Sequence, residues 1–267
     1  MTLFPTEPVP DADTVPVHPA ATVMLVRDAE PAGLEVFVLR RTATARFAAG
    51  SYVFPGGRVD AADGDPAIAA YCDGLDDAVA SAALGIDRGG LAYWVGVVRE
   101  CFEEAGVLLA RRRDGGPTTA GDADRRAVHS GTLSMVELCR RDDLVLDLGG
   151  IRYVAHWITP VGEPRRFDTR FFLASAPPGQ DGWHDDAELV DSRWVRPGAA
   201  LAAAEAGELL MMPPTVACLR TLAASDSVAT ALGAADAAAP PPCIQPRLRY
   251  DDAGRIVGIL LPGDPDY

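Results

Sequence analysis

Apolar and polar residues alternate along the chain in blocks whose lengths separate strands from helices. Residues 21–26 and 34–39 are apolar runs rich in β-branched side chains, parted by a polar stretch at 28–33, and they predict two paired strands. Tyr52-Val53-Phe54 continues that sheet. Residues 91–105 read as a helix that Gly106 stops, and 107–110 as a strand after it. Residues 122–141 read as one polar-faced helix, 153–159, 170–174 and 189–195 as further strands, and 214–223 as a closing helix with proline at its start. The Ala-rich run 67–84 would bury only a thin stripe as a helix. Residues 224–243 are rich in Ala and Pro with little periodicity and read as a linker, whereas 247–250 and 255–261 flank Asp251-Asp252-Ala253-Gly254 as a hairpin would. The chain divides into a flexible arm rich in Pro and Asp (1–19), a main domain (20–224), and a linker with a C-terminal hairpin packing on that domain (225–267).

Composition narrows the function. The 267 residues, 48% of them hydrophobic, are ample for one elaborated core. A formal net charge of −14 disfavours nucleic acid and anionic membranes as partners, so an anionic substrate must find local positive charge. All 24 basic residues are Arg, which excludes a catalytic lysine. The five cysteines are scattered and odd in number, so neither a disulfide framework nor structural zinc is expected. A cytoplasmic setting fits, and the first residues show neither a signal peptide nor a membrane span.

The densest chemistry lies in Arg99-Glu100-Cys101-Phe102-Glu103-Glu104-Ala105-Gly106-Val107. On a helix Glu100 stands beside Glu103 and Glu104, and Arg99 can reach Glu103, because residues three and four apart share a face. Three carboxylates this close raise one another's pKa unless a cation sits among them, and hard oxygen donors suit Mg²⁺ or Mn²⁺. Singly, such pairs are also what a solvated helix face carries, at about 0.3–0.5 kcal/mol each. The joint pattern points to a site. Cys101 reads as a small apolar residue packed inward.

This stretch resembles the core of the Nudix box, on which the chain is identified as a member of the Nudix hydrolase family. Upstream the box has a glycine, five residues, an acid, seven residues and then the arginine. Gly57 of Phe54-Pro55-Gly56-Gly57 is followed after five residues by Asp63, where the family usually has Glu, and Asp63 lies 36 positions before Arg99 rather than eight. A register from Gly85 puts Leu91 at the acidic place, so Gly57 is preferred, with an insertion near 64–90. Asp63 is then either a ligand or a helix cap. The resemblance implies an α/β fold, the Nudix α/β/α sandwich with a mixed β-sheet, here with an insertion within the box and a C-terminal extension. In it Glu103 and Glu104 hold Mg²⁺ or Mn²⁺, Glu100 completes the cluster or orients water, and Arg99 locks the helix electrostatically.

A second pattern, Arg41-Thr42, three residues, Arg46, three residues, Gly50, three residues and Phe54-Pro55-Gly56-Gly57, matches the spacing of Nudix enzymes that hydrolyse coenzyme A. The Leu-Leu-Thr favoured before it is replaced by Phe37-Val38-Leu39. This resemblance implies that Arg41, Arg46, Gly50, Gly56 and Gly57 bind substrate and that coenzyme A or acyl-CoA is split into 3′,5′-ADP and (acyl-)phosphopantetheine. Arg forks suit phosphate oxygens, and glycines let backbone approach a ligand. ADP-ribose, NADH or a nucleotide sugar are alternative substrates, and a non-catalytic Nudix-fold binding protein is a reading from another class. Glu188 is a further candidate, as general base or ligand, and Arg166, with Arg165 and Arg170 around Phe167, a candidate for phosphate or base contact against ordinary turn surface. His156 reads as a satisfied, partly buried histidine. The expected partner is a small-molecule diphosphate, with a homodimer left open.

Overall fold

The computed structural model describes residues 14–31, 33–45, 48–116, 118, 120–185 and 189–267. The first half contains β1 (Val17–Ala29), β2 (Gly33–Arg41), β3 (Tyr52–Val53), β4 (Gly56–Arg58), two 3₁₀ turns (Ala61–Gly64 and Pro66–Tyr71), β5 (Cys72–Asp73), α1 (Asp77–Leu84), α2 (Leu91–Ala105), β6 (Ala110–Arg112), α3 (Asp122–His129) and α4 (Met135–Asp142). There follow β7 (Leu144–Asp147), β8 (Arg152–Ile158), β9 (Arg166–Ser175), β10 (Leu189–Val195), α5 (Pro197–Glu205), α6 (Pro213–Leu222), α7 (Val228–Ala237), β11 (Cys243–Ile244), β12 (Arg247–Tyr250) and β13 (Ile256–Leu260).

The main sheet runs β10-β2-β1-β9-β8-β11, with β3 on β2 and β4 on β1. β1/β9 and β8/β11 are parallel and the other pairs antiparallel, so the sheet is mixed. Strand periodicity of two sends alternate residues to opposite faces. Val23, Leu25, Phe37 and Phe172 pack with Val98 and Phe102 of α2 on one side. Met24, Val26, Val36 and Phe171 pack with Leu219 and Leu222 of α6 on the other. The result is the expected three-layer α/β/α sandwich with α2 clamped against β1 and β4.

Several boundaries differ from the sequence reading, each for a local reason. The arm assigned to 1–19 loses its last three residues to β1. The helix expected over 122–141 breaks into α3 and α4 at Gly131 (φ +70°), and Ser134 restarts it, its Oγ accepting from Glu137 N–H while Glu137 returns a bond to Ser134 N–H. The Ala-rich run 67–84 is a 3₁₀ turn, β5 and α1 rather than one helix. The expected linker contains α7, capped by Ser227, with Asp28 accepting from Val228 N–H. It was missed because an Ala-rich helix that fully buries only Ala231 leaves almost no periodic signal. The strand read at 107–110 forms only from Ala110, pairing with β7.

Candidate active site

α2 is held at both ends by side chains from elsewhere. Its N-cap, Gly90, has no side chain to offer, so Asp77 of the insertion takes the role, accepting from Leu91 N–H (3.0 Å) and Gly89 N–H (3.0 Å). Those bonds hold the Asp77 carboxyl below its usual range. At the other end Gly106 adopts the left-handed cap (φ +67°), and buried Arg125 donates to the open carbonyls of Glu103 (2.8 Å) and Glu104 (2.7 Å).

Between these anchors Arg99 organises the acids. Its Nε and Nη2 donate to both oxygens of Asp63 (2.8 and 2.9 Å), Nη1 to Glu100 (2.9 Å) and Glu103 (3.2 Å), and Nη2 also to the carbonyl of Arg58 (2.8 Å). Against the burial that disfavours its charge, the bond to Asp63 and the charges of Glu100 and Glu103 hold Arg99 firmly ionised. Asp63, 1% exposed, also accepts from Asp60 N–H, so its carboxyl caps that turn and clamps Arg99. Asp63 and Arg99, 36 positions apart in the sequence, are thus in direct contact. Cys101 is fully buried, as expected.

Glu104 accepts from Gly56 N–H at 2.9 Å, tying the glycine loop to the helix. Burial, then the neighbouring Glu100, push its carboxyl well above the usual range, while Gly56 N–H and the charge of Arg41 oppose the rise. Burial, reinforced by Glu103, lifts Glu100 to about 7 despite Arg99. Gly57 sits so close that a Cβ there would lie 2.5 Å from Glu100 Oε1. Among the described residues no three or more acidic, histidine or cysteine side chains are grouped, as they stand, so as to hold a metal ion. Clustered hard carboxylates that burial leaves under-compensated fit a Mg²⁺- or Mn²⁺-type ion that keeps waters and takes substrate oxygens.

These acids line a cleft of about 530 Å³ together with Arg41, Gly56, Gly57, Arg58 and His129. Trp157, Phe167, Phe171, Pro246 and Ile259 contribute apolar lining. Gly50 is not on the wall: at φ +71° it closes the 42–50 turn by donating to Thr42 O. Arg166 is also off the cleft, because strand alternation aims Arg165, Phe167 and Thr169 inward while Arg166 donates to Thr159 O. Arg46 and Glu188 lie outside the described residues. His156 is satisfied by Asp168 at 2.6 Å. Sequence spacing offered no sign of His129, whose Nδ1 is 3.5 Å from Glu103, or of Arg125 and Glu163.

The profile of the NUDT19 Nudix domain matches residues 78–222, more than half of the chain. The chain belongs to this Nudix family. It is 29% identical over 231 residues to the acyl-coenzyme A diphosphatase NUDT19 of Gallus gallus (69% of this chain, 60% of that one) and 30% identical over 233 residues to its Homo sapiens counterpart (72% and 61%). It thus spans about three-fifths of the length of these curated relatives. The crystal structure of a Nudix hydrolase from Alicyclobacillus acidocaldarius shares the fold at a TM-score of 0.70 and 28% identity, over 82% of this chain and 97% of that one. The sandwich of this chain is therefore that of a Nudix fold. No helix among the described residues is long and apolar enough to cross a membrane.

Proposed function

We propose that this Nudix chain hydrolyses a diphosphate bond with a divalent metal, Mg²⁺ or Mn²⁺, held by Glu100, Glu103 and Glu104, and that its substrate is coenzyme A or acyl-CoA. The observation that carries the reading is the carboxylate face of α2, ordered by Arg99 and Asp63 and set against the Gly56-Gly57 loop in a cleft. The substrate class is supported by the Arg41-to-Gly57 pattern and by the name of the NUDT19 relatives. An ion bound there would supply charge neutralisation and a water of lowered pKa. Arg99 holds Glu100 and Glu103 in place and spreads their charge. Arg41, lining the cleft near Glu104, gives the diphosphate a cationic contact in an otherwise acidic protein. The glycine loop lets the phosphates approach backbone and carboxylates together.

The test is a Mg²⁺- and Mn²⁺-dependent product assay by mass spectrometry on coenzyme A, acetyl-CoA, a long-chain acyl-CoA, ADP-ribose and NADH, beside Glu104→Gln. Formation of 3′,5′-ADP and phosphopantetheine by wild type, lost in the variant, is expected. Faster turnover of ADP-ribose or NADH would discard the coenzyme A assignment, and absence of any turnover would discard catalysis.

A further inference from the structure

Glu163 is one of three acids lining the cleft, with Asp60 and Asp185, to which the diphosphate chemistry gives no role. It sits on the loop between β8 and β9, between Pro160 and Pro164, and is only 6% exposed although it lines the cleft. Its Oε1 is buried and has no hydrogen-bond partner among the described residues. Burial alone pushes this carboxyl up to about 7. The loop is backed by the C-terminal hairpin: Gly162 (φ +107°) is so close that a Cβ would lie 2.5 Å from Leu248 and 3.1 Å from the Tyr250 hydroxyl. Pro246 and Ile259 bring the same hairpin to the apolar lining. The extension thus helps build the cleft and packs against the segment that carries Glu163.

An acceptor buried without a donor is costly to keep, so a carboxyl held this way needs a partner that arrives with the ligand. We propose that Glu163 accepts a hydrogen bond from the amide N–H or hydroxyl donors of the uncharged substrate arm beyond the diphosphate. Resting on the coenzyme A reading, that arm is the pantetheine. Two observations favour it over the nucleotide. The cleft that Glu163 lines also carries Trp157, Ile158, Pro160, Phe167, Pro246 and Ile259, which suit a mostly aliphatic chain with a few polar points. The nucleotide half carries an additional 3′-phosphate, which offers a bare acceptor oxygen no N–H donor and is repelled by the carboxyl in its ionised form.

The experiment compares wild type, Glu163→Gln and Glu163→Leu by calorimetric binding of 4′-phosphopantetheine and of 3′,5′-ADP, and by kcat and KM on coenzyme A. Leu removes the acceptor and should weaken 4′-phosphopantetheine about tenfold or more, with the loss of coenzyme A turnover appearing mainly in KM. Gln keeps an acceptor oxygen and should fall between. The 3′,5′-ADP affinity should move less than about twofold. An equal loss for 3′,5′-ADP would overturn the proposal by moving Glu163 to the nucleotide, and a loss confined to kcat would overturn it by moving Glu163 to the reacting centre. Equal 4′-phosphopantetheine binding by wild type and Glu163→Leu, with coenzyme A cleaved, would overturn it and leave the activity reading standing. A wild type that neither cleaves coenzyme A nor binds 4′-phosphopantetheine would overturn both.

Discussion

Replacing Asp63 with Ala is the most direct challenge to a Nudix box whose upstream acid lies 36 residues from its arginine. The substitution removes two charge-assisted bonds to Arg99 and the acceptor for Asp60 N–H, all between 2.8 and 2.9 Å and all around a carboxyl that is 1% exposed. Breaking a buried ion pair by deleting one member costs roughly 3–5 kcal/mol. Arg99 retains Glu100, Glu103 and the Arg58 carbonyl, and Glu100 loses a repulsive neighbour, so the lower end applies, about 3 kcal/mol. In a chain of this size each kcal/mol moves the melting temperature by about 2–4 °C, giving a fall of roughly 6–12 °C by calorimetry. Arg99, freed on one side, swings toward Glu100 and Glu103, so kcat should drop beyond the stability effect when measured well below the melt. Asp63→Asn, which keeps the acceptor for Asp60 N–H, should lose less. A melting temperature within about 1 °C of wild type together with unchanged kcat/KM would refute the clamp.

Gly57→Ala inserts a methyl 2.5 Å from Glu100 Oε1, an atom that can move, so the fold should survive with its melt little changed while kcat falls about a hundredfold from carboxylate misplacement. An active Gly57→Ala enzyme would separate Glu100 from the chemistry. Asp77→Ala uncaps α2 and should cost about 1 kcal/mol, read in urea melts. Because the Asp77 carboxyl is depressed in the folded state, its contribution is present above its unfolded pKa and disappears as acid protonates the folded protein, so wild type and variant should converge at low pH. Glu100 behaves oppositely. Its folded pKa of about 7 exceeds the unfolded value, so metal-free protein should lose stability as pH rises from about 4.5 through 7. Glu100→Gln should flatten that profile, and Mg²⁺ or Mn²⁺ should restore the melt at pH 8 until EDTA removes the ion.

Legibility in the sequence followed periodicity and packing. The central strands, α2 to its last residue and the sandwich itself were readable because their side chains alternate between two buried faces or line one helix face. The break at Gly131 was also written, in Ser134-x-x-Glu137, but a single polar pattern over 122–141 hid it. α7 was not readable from alternation, since alanine pays little for being exposed and little is gained by burying it. The acids of α2 could be read as a cluster because helix geometry makes neighbours of residues three and four apart. Arg125 and His129 reach that cluster from α3, and Glu163 reaches the cleft from a loop 59 residues beyond Glu104, proximities that only the folded sheet creates.

The insertion near 64–90 acquires a purpose from the same geometry. Lengthening a loop by this much adds only a modest closure entropy, so the cost to the box lies in keeping Asp63 and α2 aligned. The chain meets it at two points. Asp63 turns back immediately onto Arg99, before the insertion begins, and Asp77 within the insertion returns to cap α2 just before the box resumes. Gly90 makes the second contact feasible, because any Cβ there would lie 2.3 Å from the backbone nitrogen of Ser81, whose Oγ accepts from Gly90 N–H. The inserted residues therefore brace α2 from its N-terminal end. Gly90→Ala should consequently disturb α1 and α2 together, lowering the melting temperature by more than the uncapping of Asp77→Ala alone. Equal losses in the two variants would mean that the cap, and not the close packing of α1 on α2, carries the alignment.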